Sequence, residues 1–173
     1  GFNSILEGNI NNLKSIKRQG VLGKELWISL NNGISILNLN TKEFNNFKFN
    51  PRNKNKFPQG FSSIILSNNN ELWITNSSTG LYKYDQKNLD QINHYIFNIN
   101  DKKSITSSSL TDIYEYDDKV YISSNGDGIF IYENDSTGFL HLTVDNGLLS
   151  NQVLSFFETY EYLFVLTELG LNY

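Results

Sequence analysis

Two histidines, a scatter of carboxylates and many serines are the side chains of this chain that could do chemistry. His94 and His141 lie far apart in sequence and fall at nearly equivalent places in two copies of a repeat. Neither sits at metal-site spacing from the other, so a shared structural place on an exposed strand explains both better than a general base or a metal ligand. The serines offer no Gly-x-Ser-x-Gly elbow. Asp117, Asp118, Glu133, Asp135, Glu158 and Glu161 fall in or beside predicted turns, where solvated turn formers are the ordinary reading. Spacing alone leaves paired-acid glycoside hydrolysis open. Ser123-Ser124-Asn125-Gly126-Asp127-Gly128 invites comparison with a calcium loop, but Ser123 opens it and Asn134 stands where that loop needs a Glu. The expectation is a protein that is not an enzyme, with no cofactor and no metal.

Composition narrows the remaining classes. The 14 Lys and Arg against 18 Asp and Glu give a net charge of −4, which argues against nucleic acid as a partner, because phosphate neutralisation needs a basic excess. No apolar run approaches the ~18 residues of a membrane-spanning helix, so no membrane contact by this segment is expected. Cysteine is absent, which excludes disulfides and thiolate chemistry. Methionine is absent too, and an excerpt of a longer chain is the favoured reading. Aromatics at 14%, charged residues at only 18% and 26 asparagines lean towards strands joined by tight turns.

The elements that position these residues follow from self-similarity. Glu25-Leu26-Trp27-Ile28-Ser29 recurs as Glu71-Leu72-Trp73-Ile74-Thr75, as Lys119-Val120-Tyr121-Ile122-Ser123 and as Tyr162-Leu163-Phe164-Val165-Leu166. The spacings are about 46, 48 and 43 residues, a period of propeller blades. Each copy is followed by a glycine: Gly33, Gly80, Gly128 or Gly170. Within each period, apolar residues alternate at period two in short runs, which predicts strands over 61–67, 71–76, 80–85 and 90–97, then over 110–116, 119–124, 128–133 and 139–144. Asp117-Asp118, Asn125-Gly126-Asp127 and Asn134-Asp135-Ser136 separate them with hairpin chemistry.

The predicted fold is therefore all-β, a β-propeller of four-stranded antiparallel blades with about four blades in this chain, either closed as four or an excerpt of a larger propeller. Residues 1–8 supply the outer strand of a preceding or closing blade. Blades span 9–50, 51–98 and 99–145, and a fourth, 146–173, lacks its outer strand. A blade cannot bury both faces alone, so Trp27, Trp73, Tyr121 and Phe164 are read as inter-blade core.

The Glu71–Thr75 copy with Gly80-Leu81-Tyr82-Lys83-Tyr84-Asp85, and Asn146-Gly147-Leu148-Leu149-Ser150-Asn151-Gln152-Val153 with Thr167-Glu168-Leu169-Gly170-Leu171-Asn172-Tyr173, resemble two-component regulator propeller repeats. Such repeats form the extracellular sensor regions of bacterial hybrid histidine kinases. The resemblance implies a periplasmic or extracellular propeller that senses a ligand, commonly a glycan fragment, and passes the signal to neighbouring blades or domains of a parent chain and onward to a kinase. A protein-docking scaffold, as in a secretion or assembly apparatus, is the alternative, and a homo-oligomer is compatible with either.

If the blades close radially, the loops 50–60, 98–109 and 145–151 gather on one face with the turns at 31–32, 76–79 and 125–127. Loops on a rigid scaffold carry binding groups, so this face is the candidate ligand site. Its named residues are Asn31, Asn32, Arg52, Lys56, Gln59, Asn76, Ser78, Lys102, Ser107, Asn125, Asp127, Asn151 and Gln152. A basic rim beside amides and hydroxyls suits an oligosaccharide or an acidic partner surface.

Overall fold

The structure, a computed structural model, describes residues 9–16, 21, 23–49, 57–101 and 103–173, and the backbone alone of Ile92. The expected strand within 1–8 lies outside these residues. Among the described residues, fifteen strands form four antiparallel meanders. The first sheet is β1 (Ile10–Ile16), β2 (Glu25–Leu30), β3 (Gly33–Asn38) and β4 (Phe44–Lys48). The second is β5 (Ser63–Leu66), β6 (Glu71–Asn76), β7 (Gly80–Asp85) and β8 (Gln91–Tyr95), and the third is β9 (Leu110–Tyr116), β10 (Lys119–Ser124), β11 (Ile129–Asn134) and β12 (Gly138–Leu142). The fourth has three strands, β13 (Val153–Glu158), β14 (Leu163–Thr167) and β15 (Gly170–Asn172). Strands pair in chain order within each sheet. The expected strand over 139–144 stops early because the Thr143 side chain caps a short 3-10 turn, Val144–Asn146, and turns Val144 out of line.

The hairpins use the residues their chemistry favours. Asp117 and Asp118 both have positive φ, 50° and 57°, as a two-residue turn of the primed type requires. Between third and fourth strands a different device recurs: Asn38, Asp85 and Asn134 each accept two backbone N–H groups of the turn through Oδ1. Gly80 opens the third strand of its sheet and Gly128 immediately precedes that of the next, at φ 92° and 74°, and a Cβ there would lie 2.4 Å from the Tyr95 carbonyl oxygen or 2.1 Å from that of Leu142. The outer strand can approach so closely only past a glycine.

The sheets stack by covering one another's aromatic residue. Trp27 is fully buried among Ile36 of its own sheet and Ile64, Leu72, Ile74 and Tyr84 of the second. Trp73 is fully buried against Leu110, Ile113, Val120 and Ile122 of the third. Tyr121 is half-buried against Val153, Phe156 and Val165 of the fourth. Phe164, at the same register, is half-buried, and its ring contacts are Phe157, Tyr162 and Tyr173 of its own sheet. Contacts thus run from the first sheet to the second, third and fourth, and among the described residues the sheets do not close into a ring.

The inter-sheet loops take part in this packing. Phe57 and Ile105 are buried plugs in the first and second interfaces, and Leu148 packs against the third, each about five residues ahead of the next inner strand. The loops expected to serve mainly as a binding face are held down by these residues.

Burial makes the two ends of the aromatic row unequal. Trp73→Ala is expected to cost about 3–5 kcal/mol in urea denaturation, and Phe164→Ala less than about 2 kcal/mol. Gly80→Ala is expected to cost about 1–3 kcal/mol through backbone strain. Equal losses at Trp73 and Phe164 would contradict the stacking described.

Candidate functional site

The first strands of the four sheets converge on one depression, called axial below. This depression, of about 330 Å³, is lined by Asn12, Leu13 and Lys14 of the first sheet, Phe61 to Ile64 of the second, Thr111 and Asp112 of the third and Leu154 of the fourth. A second hollow, about 310 Å³, shares Asn12, Phe61 and Ser62 with it and adds Asn11, Ser29, Gln59, Asn76 and Ser77. Together they make one polar tract from the loop face towards the axis. Amides and hydroxyls predominate, with Lys14 and Asp112 as its charges.

Much of that polarity is already employed in holding inner strands together. The Asn12 amide donates to the Ser62 carbonyl, joining the first two sheets. The Phe61 N–H donates to Ser29 Oγ at 2.8 Å. Thr111 Oγ1 donates to the Val153 carbonyl at 3.0 Å, and Asp112 accepts the Phe156 N–H at 3.2 Å, joining third to fourth. The exposed Lys14, Ser62 Oγ and the side-chain Oε1 of Gln59 have no hydrogen-bond partner among the described residues and remain for a ligand. No nucleophile here is paired with a base, and among the described residues no three His, Asp or Glu side chains gather as a metal site.

The site residues read from sequence divide into two groups. Asn31, Gln59, Asn76 and Ser78 come together around the first two sheets: Gln59 donates to the Asn31 carbonyl, and Asn76 Oδ1 accepts the Ser78 N–H at 2.9 Å. Asn32 sits in the same turn as Asn31, and its carbonyl accepts the Phe49 N–H. Asn125, Asp127, Asn151 and Gln152 gather between the third and fourth sheets through an Asn125–Gln152 bridge and the Gly128 N–H on the Asn151 carbonyl. Ser107 caps its own loop by accepting the Ser109 N–H. Arg52, Lys56 and Lys102 lie outside the described residues, and so does most of the expected basic rim. Sequence reasoning missed the axial residues Asn12, Lys14, Thr111 and Asp112. Their one signal was polar residues interrupting the apolar alternation of first strands.

Both histidines hold equivalent structural positions. His94 Nε2 bonds the Thr79 carbonyl at 2.7 Å and its ring stacks on Tyr82, while His141 bonds the Asp127 carbonyl and stacks on Phe130.

A second polar cluster sits between the second and third sheets. Lys83 pairs across the strands with Trp73, the place held by Ile36 beside Trp27 and by Ile131 beside Tyr121. Only 3% exposed, its ammonium lies 3.4 Å from Glu71 Oε1, 3.5 Å from Asp135 Oδ1 and 3.1 Å from Tyr132 Oη, over the Trp73 and Tyr132 rings. Trp27 Nε1 donates to Glu25, whereas buried Trp73 Nε1 has no partner among the described residues, and Glu71, the matching carboxylate, is engaged by Lys83. Hydroxyl donation from Tyr132 and Tyr95 holds the Asp135 carboxyl below the usual range, while burial pushes Glu115 up.

No family model matches the chain, and no curated protein matches it. Its fold is similar to that of solved structures. The extracellular domains of two hybrid two-component systems from B. thetaiotaomicron superpose with TM-scores of 0.75 and 0.70 at 14% identity. They cover 98% and 91% of this chain, which spans 25% and 22% of theirs. PorZ, an essential bacterial surface component of the type-IX secretion system of Porphyromonas gingivalis, matches with a TM-score of 0.53 at 14% identity, over 92% of this chain and 31% of its own. These likenesses establish the class of fold, the propeller-like stack of antiparallel sheets found in such extracellular domains.

The cluster yields two expectations. Lys83→Ile, which repeats the neighbouring sheets, removes the buried charge and frees the partly exposed Glu71 for Trp73, should cost less in urea denaturation than Glu71→Ala, which leaves the ammonium buried without its nearest carboxylate and should cost about 3–5 kcal/mol. Asp135, with its lowered pKa, contributes stability that is present above its unfolded value and lost as pH falls through the folded one. Below about pH 4 the acid slope of stability, followed by circular dichroism, should therefore be shallower in Asp135→Asn. Glu115 acts oppositely, contributing stability in acid that fades as pH rises.

Proposed function

We propose that the chain is a segment of an extracytoplasmic β-propeller that senses a ligand for a two-component receptor, the ligand being a carbohydrate or a related hydroxyl-rich small molecule. The axial depression carries this reading. Four inner strands bring amides, hydroxyls, Lys14 and Asp112 to one concave tract, and a scaffold of cross-linked strands holds them in place. Such a lining offers both donors and acceptors to sugar hydroxyls. The likeness to extracellular domains of hybrid two-component systems supports the periplasmic or extracellular placement and the sensing role. In this reading the chain binds without turning its ligand over, and further propeller blades and a kinase belong to the parent protein.

A second reading, a protein-docking scaffold, draws on the fourth sheet, whose Phe157, Leu166, Leu171 and Tyr173 are exposed beside Phe164. The likeness to a surface component of a secretion system supports it. Screening a glycan array, followed by calorimetry, separates the two. The sensing reading expects an oligosaccharide whose affinity falls about tenfold in Lys14→Ala or Gln59→Ala, a loss of about 1.4 kcal/mol, with unchanged melting temperature. Binding unaffected by both variants would move the ligand elsewhere. Silence across the array together with capture of a defined protein partner would favour the scaffold.

A further inference from the structure

A smaller pocket, about 250 Å³, opens between the outer strands of the second and third sheets, away from the axial tract. Its lining includes Tyr95, Asp101, Lys103, Asp135 and Phe139. The rings of Tyr95 and Phe139 meet edge to face at 5.1 Å and make one apolar wall. The rest is polar, and its hydrogen-bonding capacity is one-sided.

Asp135 Oδ1 is saturated: Tyr132 Oη donates at 2.7 Å, Tyr95 Oη at 2.8 Å and the Asn93 amide at 3.1 Å, with Lys83 behind. These donors fix the carboxylate in one orientation. Its Oδ2 accepts no hydrogen bond from the described residues, and the side chain is 61% exposed. Asp101 is arranged alike, with Oδ1 taken by the Lys103 N–H at 2.9 Å and Oδ2 accepting no hydrogen bond from the described residues. The Lys103 ammonium is turned away onto the Ser136 carbonyl, and Ser104 Oγ is engaged with the backbone of Asn98. The pocket therefore presents unsatisfied anionic acceptors beside aromatic carbon, with its ammonium spent. A ligand that fits must donate hydrogen bonds, carry positive charge and have apolar bulk.

We propose that this pocket binds an organic cation, an alkylammonium or guanidinium group, with Asp135 and Asp101 as its counter-charges and Tyr95 and Phe139 as its wall. The group can belong to a free amine or to a basic side chain of a partner protein. The pocket is independent of the axial tract, since the two share no lining residue.

The test is titration of the whole chain with agmatine, followed by amide chemical shifts, with uncharged 1,4-butanediol as control. Saturable shifts at Tyr95, Lys103 and Phe139 are expected, weakening with added salt. Asp135→Asn and Asp101→Asn should each weaken binding about tenfold, the scale of one charge-assisted hydrogen bond. If Asp135→Asn does not fold, Asp101→Asn decides. A short capped peptide with one arginine distinguishes the sources: tighter binding than agmatine points to a partner's side chain, weaker binding to a free amine. No saturable shift with agmatine, an equal response to butanediol, or unchanged affinity in the folded Asn variants overturns the proposal.

Discussion

A four-stranded sheet of this sequence has apolar residues on both faces, and no sheet can cover both by itself. Burial of one large aromatic side chain from the second strand of each of the first three sheets, against the face of the following sheet, is the interaction on which the stack depends. Trp27 and Trp73 illustrate it, since their neighbours come mainly from the next sheet. Removing water from aromatic surfaces of ~150–250 Å² each outweighs any single hydrogen bond in the turns. The inner strands converge because the sheets stack in this way. The polar axial tract is thus a consequence of apolar packing further out.

The second interface departs from its neighbours in one instructive respect. Where the first and third sheets place Ile36 and Ile131, the second places Lys83, in a spot where an unpaired ammonium could not be tolerated. Glu71, Asp135 and the Tyr132 hydroxyl compensate it, and the face of Trp73 adds a cation–π contact. Nearby, the indole N–H of Trp73 is left without an acceptor among the described residues. The same network fixes Asp135 at the rim, so a substitution in the core shapes chemistry at the surface.

The loops between sheets do two jobs. Their apolar members, Phe57, Ile105 and Leu148, sink into the wedges between sheets, and their polar members are left at the loop face. Residues expected to await a ligand are consequently often committed. Asn76 forms its own turn and bonds the Gly60 carbonyl, and Asn151 accepts the Val144 N–H. Around the axis, exposed Lys14 and Gln59 are less constrained.

The sequence alone determined the order of strands within each sheet and the place of Gly80 and Gly128, because local periodicity and turn chemistry act within one repeat. It also disclosed that Trp27, Trp73, Tyr121 and Phe164 share a register, which pairing with Ile36, Lys83 and Ile131 bears out for the first three. It did not disclose how unequally they are buried, since that depends on which sheet stands opposite. Nor did it bring together the lining of the axial depression: Asn12, Lys14, Thr111 and Asp112 lie far apart along the chain, and only the convergence of inner strands joins them. The clasp around Lys83 was invisible for the same reason. A lysine at a strand position reads as solvated until Asp135 and Tyr132, 52 and 49 residues on, fold against it. Contacts within a repeat are written in neighbouring residues, whereas contacts between repeats exist only once the sheets stack.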